Sequence, residues 1–140
     1  MFPWGFITRL NLLIISDNQL DSEAMATFLA SLGHEVQIIP DIDLALDHIA
    51  NLKPELVFVN EQIKNSNAQD FIIKASQKKV FIHSAFLLMT PTVPDETTKI
   101  KFMSLGFSYF TLNAIDEKNC ETIKFCLSEE INLIQLLKAS

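Results

Sequence analysis

"LNLLIIS" (residues 10–16) is an apolar run of strand length, far below the roughly twenty residues that cross a bilayer. It lacks the alternation of a half-exposed strand. Such a run suits a strand covered on both faces, as in a parallel sheet flanked by helices. The segment behind it reads as a helix: Asp21 and Glu23 suit the positive end of the helix dipole, and Met25, Phe28, Leu29 and Leu32 recur at i, i+3, i+4 and i+7. Gly33 stops it.

The same unit repeats along the chain. "EVQII" predicts a second strand, and "IDLALDHIANLKP" a helix with Ala45, His48, Ile49 and Leu52 on one face and Pro54 behind it. "ELVFVN" is a third strand, "NAQDFIIKASQKK" a third helix, "AFLLMT" a fourth strand, "DETTKIKFMSLG" a fourth helix and "SYFTL" a fifth strand. The last helix begins near Ile115 or Asp116 and runs unbroken through Leu137. Five such units predict an α/β fold with a doubly wound parallel sheet, helices on both faces, and a ligand crevice at the carboxyl ends of the strands.

The chain has 140 residues, 49% of them hydrophobic, with only 3 Gly and 5 Pro, which fits one self-sufficient core. Residues 10–128 are expected to form the domain, with an aromatic extension at 1–9 and an extension of the last helix at 129–140. The net charge of -6 and the dispersal of 11 basic residues oppose binding to a phosphate backbone, so no direct nucleic-acid partner is expected. Cys120 and Cys126 lie on different faces of one predicted helix and read as reduced packing residues. His34, His48 and His83 have no metal-ligand spacing, and neither a metal nor another cofactor is expected. With no basic n-region, no small-residue cleavage site and no membrane-length run, the expectation is a cytoplasmic protein without a membrane partner.

The predicted strand ends carry Ser16 and Asp17, then Asn60, Thr90 and Asn113. In their order and separation, "IISDN", "LVFVN", "LLMT" and "GFSYFTLNA" resemble the receiver domains of bacterial two-component response regulators across residues 10–128. The resemblance implies a flavodoxin-like sheet of order 2-1-3-4-5. It also implies an acidic pair after the first strand, a phosphate-accepting Asp after the third, a Thr or Ser after the fourth and a Lys-Pro pair after the fifth. Asp17 matches the second acid, Thr90 the switch hydroxyl, Phe110 the rotating aromatic and Gly106 the glycine that opens the fifth strand. Ser16 stands in place of the first acid, Asn60 in place of the acceptor, and Asn113 with Ala114 in place of Lys-Pro.

These departures have chemical consequences. The amide nitrogen of Asn60 has its lone pair delocalised into the carbonyl and cannot attack phosphorus. Asp17 is the one carboxylate left at the family's ligand positions, too few for tight magnesium binding. The pattern therefore predicts a non-enzymatic pseudo-receiver that binds proteins without phosphorylation, in bacterial signalling or transcription control, as a homodimer or with another signalling protein. The alternative is a small-molecule or anion-binding regulatory domain that uses the same crevice through neutral hydrogen bonds. The acidic "SDNQLDSE" after the first strand disfavours phosphate ligands there. Near the C-terminus, Ile131 and Ile134 continue the stripe of Cys120, Ile123 and Leu127, whereas Leu133, Leu136 and Leu137 lie off it, and this group is the candidate interface. Phe2, Trp4 and Phe6 precede the first strand, either as a hook for a partner or as a segment that packs back on the domain.

Overall fold

Strand β1 (Asn11–Ile15) is followed by α1 (Gln19–Ser31), β2 (Glu35–Ile39), α2 (Ile42–Leu52) and β3 (Leu56–Asn60). A two-residue pair, β4 (Gln62–Ile63) and β5 (Ser66–Asn67), leads into α3 (Ala68–Gln77), β6 (Ala85–Thr90), α4 (Glu96–Leu105), β7 (Tyr109–Leu112) and α5 (Glu117–Ala139). This is a computed structural model and describes residues 9–79 and 84–139. The five longer strands form one parallel sheet in the order β2-β1-β3-β6-β7, which is the expected 2-1-3-4-5 once the small hairpin is set aside.

Alternation along the strands divides the core in two. Leu13 and Ile15 of β1, Val57 and Val59 of β3, and Phe86 and Leu88 of β6 face α2, α3 and α4. Leu10, Leu12, Ile14, Leu56, Phe58, Leu87 and Met89 face Met25 and Leu29 of α1 and Ile123, Cys126 and Leu127 of α5. Because β3 is buried at all five positions, its sequence shows no polar alternation. Each of the first four helices begins with an Asx cap: Asn18, Asp41, Asn67 and Asp95 accept from the backbone N–H three residues on, at 2.8–3.1 Å. Gly33, at φ +95, carries the left-handed turn that ends α1, and its N–H donates to the carbonyl of Ala30 at 2.9 Å.

One local expectation needs correction, and one small element was not anticipated. The buried stripe of α2 is Ile42, Ala45, Leu46 and Ile49, whereas Leu52 is 64% exposed and His48 only half-buried. A stripe one turn earlier satisfies the same periodicity, and the chain leaves the helix at Lys53, φ 50, before a last turn can reach the sheet. Between β3 and α3 lies the antiparallel β4-β5 pair, turned by Asn65 at φ 60, with Ile63 buried beneath it.

Where the amino end of the sheet meets α5 there is a buried acid. Glu130 is 7% exposed and accepts from the Tyr109 hydroxyl at 3.0 Å. Burial raises the Glu130 carboxyl above its usual range, the Tyr109 hydrogen bond opposes that rise, and the negative charge of Glu55 adds to it. A carboxyl raised on folding holds its proton longer in the native state, so its contribution to stability is lost as pH climbs from the ordinary carboxylate range through the raised one. Glu130→Gln keeps an acceptor for Tyr109 and removes the charge. Its melting temperature should exceed that of the wild type at neutral pH, with the gap closing below the ordinary carboxylate range. A constant gap across a calorimetric pH series would contradict this account.

Candidate functional site

The carboxyl ends of β1, β3, β6 and β7 bring Ser16, Asn60, Thr90 and Asn113 to one end of the sheet. Ser16 follows β1 directly and is 3% exposed; its Oγ accepts from the Asn60 Nδ2 at 3.2 Å and from the Asn18 N–H at 3.2 Å. Asn60 closes β3 at 8% exposure, level with Met89 on β6. Thr90, 1% exposed, donates its hydroxyl to the carbonyl of Thr92 at 2.7 Å, which turns it into the loop after β6. Asn113 donates its N–H to the Thr90 carbonyl at 2.9 Å, while its Oδ1 is buried without a hydrogen-bond partner.

Ser16, Asn60 and Asn113 enclose a cavity of about 10 Å³ together with Asp21, Ser22 and Met89. Asp17 does not line it but is exposed in an adjoining shallow groove of about 360 Å³, which shares Ser16 and Ser22 with the cavity and is completed by Gln19, Glu23, Ile38 and Pro40. The first turn of α1 thus places Asp21, which the strand-end reading did not include, among the residues that line the cavity with Asn60. Phe110 is half-buried against the α2-α3-α4 core and lines a third groove, of about 190 Å³, with Val93, Pro94 and Lys99.

The turn after β7 is held from α5. Asn119, 4% exposed, accepts the Leu112 N–H at 3.1 Å through Oδ1 and donates through Nδ2 to the carbonyls of Leu112 and Ala114, both at 2.6 Å. Asp116 caps the helix start by accepting the Asn119 N–H at 2.8 Å. The D-x-x-N spacing at a helix start was the available sequence signal for this clamp.

Hard cations take oxygen ligands, usually with one or two carboxylates; here the Asn60 amide nitrogen is directed at the Ser16 hydroxyl, Asp21 lines the same cavity and Asp17 the adjoining groove. Among the described residues no group of three or more His, Cys, Asp or Glu side chains is placed to hold a metal ion. Burial pushes the Cys126 thiol up to about 11, which leaves it a packing residue rather than a nucleophile. No helix of the described residues is long and apolar enough to cross a membrane.

No protein-family model matches the sequence, and no curated protein matches it. Solved structures do. The signal receiver domain of a putative Luxo repressor protein from Vibrio parahaemolyticus superposes with a TM-score of 0.78 at 12% identity, over 94% of this chain and 96% of that one. A putative response regulator from Chloroflexus aurantiacus gives 0.75 at 16% identity, over 89% and 98%. The receiver domain of the Francisella response regulator 1452 gives 0.76 at 9%, over 89% and 98%. The fold is that of the response regulator receiver domains.

Proposed function

We propose that this protein is a pseudo-receiver: a non-enzymatic module of bacterial signal transduction or transcription control that binds protein partners without being phosphorylated. The contact between Asn60 Nδ2 and Ser16 Oγ carries this reading. Where a receiver sets a nucleophilic carboxylate against an acidic pair, two neutral side chains bond to each other, and a buried neutral pair needs neither a metal nor a phosphoryl group to be satisfied. The cavity among Ser16, Asn60 and Asn113 is about 10 Å³, about the space of one water, so the alternative of a small-molecule or anion site would have to use the adjoining grooves and not the neutral cluster itself.

Association is assigned to the tail of α5. Leu133, Leu136 and Leu137 are 50%, 68% and 68% exposed, while Ile131 and Ile134 are half-buried against the protein's own core. Incubation with acetyl phosphate and magnesium should leave the intact mass unchanged, and a beryllofluoride mixture should leave the amide NMR spectrum unchanged. A stoichiometric mass gain abolished by substituting Asn60 would overturn the pseudo-receiver reading.

A further inference from the structure

The turn after α1 and the residue that leads into β1 meet through one side chain. Gly33 reverses the chain at φ +95, and His34 follows it directly, 8% exposed. The N–H of Leu10 donates to the His34 Nδ1 at 3.0 Å, while the Leu10 carbonyl accepts from the Glu35 N–H at 3.0 Å. Arg9, where the described chain begins, adds an exposed salt bridge to Glu35 at 3.0 Å; Phe2, Trp4 and Phe6 lie outside the described residues. These contacts hold the start of β2, an edge strand that pairs with β1 alone.

A backbone N–H donates only to an imidazole nitrogen that carries no proton, so the contact fixes the neutral tautomer with its proton on Nε2. A proton on Nδ1 sets two N–H groups against each other at 3.0 Å and leaves the amide of Leu10, a fully buried residue, without its acceptor. Little charge stands nearby to offset that. From β1 comes the cation Arg9, and from β2 comes Glu35, which Arg9 already engages. The last turn of α1 has no basic residue and packs Phe28 and Leu32 on the core that contains Leu10. Before β3, Glu55 accepts from the Asn11 N–H; from α5, Ile131 and Ile134 are uncharged and Glu130 is turned to Tyr109. We propose that His34 is a proton-operated latch: neutral, it seals the entry to β1 against the turn after α1, and a proton on Nδ1 opens that corner of the sheet. The latch lies at the amino end of the strands, away from the Ser16 and Asn60 cluster, and is independent of the proposed function.

Burial holds the His34 imidazole below its ordinary range. The open corner therefore takes up a proton near the ordinary value of about 6.5 and the closed corner only lower, so the seal is complete above that range and weakens as pH falls through it. Amide hydrogen exchange in the intact chain, with each rate divided by its intrinsic rate at the same pH, tests this. Between about pH 7.5 and about pH 5 the protection of the Leu10 and Glu35 amides should fall roughly tenfold, as uptake of one proton near 6.5 in the open form dictates, while Val59 and Leu88 in mid-sheet keep theirs. His34→Asn puts an Oδ1 acceptor in place of Nδ1 and does not titrate, so its Leu10 protection should stay level. Should that variant fail to fold, nitrogen-15 NMR of the wild-type imidazole gives a second readout: a proton on Nε2 alone at neutral pH, and a titration that runs in step with the loss at Leu10. A level wild-type profile, a fall shared equally by Val59 and Leu88, a His34→Asn variant that keeps the fall, or a proton on Nδ1 at neutral pH would each overturn the latch.

Discussion

In light scattering, the wild-type protein is expected at twice the mass of one chain, and Leu133→Glu with Leu136→Glu at the mass of one. A helix of 23 residues is about 34 Å long, whereas a five-residue strand spans roughly 17 Å, so the end of α5 extends past the sheet. The leucines on that end are exposed. Each contributes about 1.5–3 kcal/mol when fully buried, and two from each of two chains meet if the tails pair. Every 1.4 kcal/mol is tenfold in affinity, so the double variant should weaken pairing by roughly a thousandfold or more, with the carboxylates adding a desolvation cost. A monomeric wild type, or a double variant that remains dimeric, removes the assignment of this surface.

The second large effect is the recovery of cation binding. Ser16→Asp, Asn60→Asp and Asn113→Lys in one chain replace a neutral cluster with two facing carboxylates and a cation. The present separation of 3.2 Å between the Asn60 and Ser16 side chains is close enough for two acids to repel strongly. Magnesium relieves that repulsion, and a ligand held at a hundred times its dissociation constant stabilises the native state by about 2.7 kcal/mol. For a chain of 140 residues that corresponds to a rise of roughly 5–10 °C in melting temperature. The wild type should show no such rise. If the triple variant folds and its melting temperature ignores magnesium, these three strand ends do not form one site.

The strands that decide the fold were legible because they are buried on both faces: β1, β3 and β6 are uninterrupted apolar runs, and their side chains divide cleanly between two cores. The faces of the helices were less so. In α2 two stripes fit one periodicity, and only the turn at Lys53 chooses between them. The residues at the strand ends were also legible, since topology alone brings Ser16, Asn60, Thr90 and Asn113 to one end. Asp21 was not, and Asn119 was signalled only as part of a D-x-x-N helix start, not as a clamp. The first enters the cavity from α1 and the second grips a turn from α5, and no spacing along a strand encodes either approach.

The Asn119 clamp fixes the start of α5 to the turn after β7. At its first turn three side-chain bonds tie the helix to the backbone on either side of Asn113, and hydrogen bonds of 2.6 Å leave little slack. At the other end, some 34 Å of helix away, the tail lies past the sheet. The clamp and the exposed leucines are thus two ends of one continuous helix, seated on the core between them through Ile123 and Leu127.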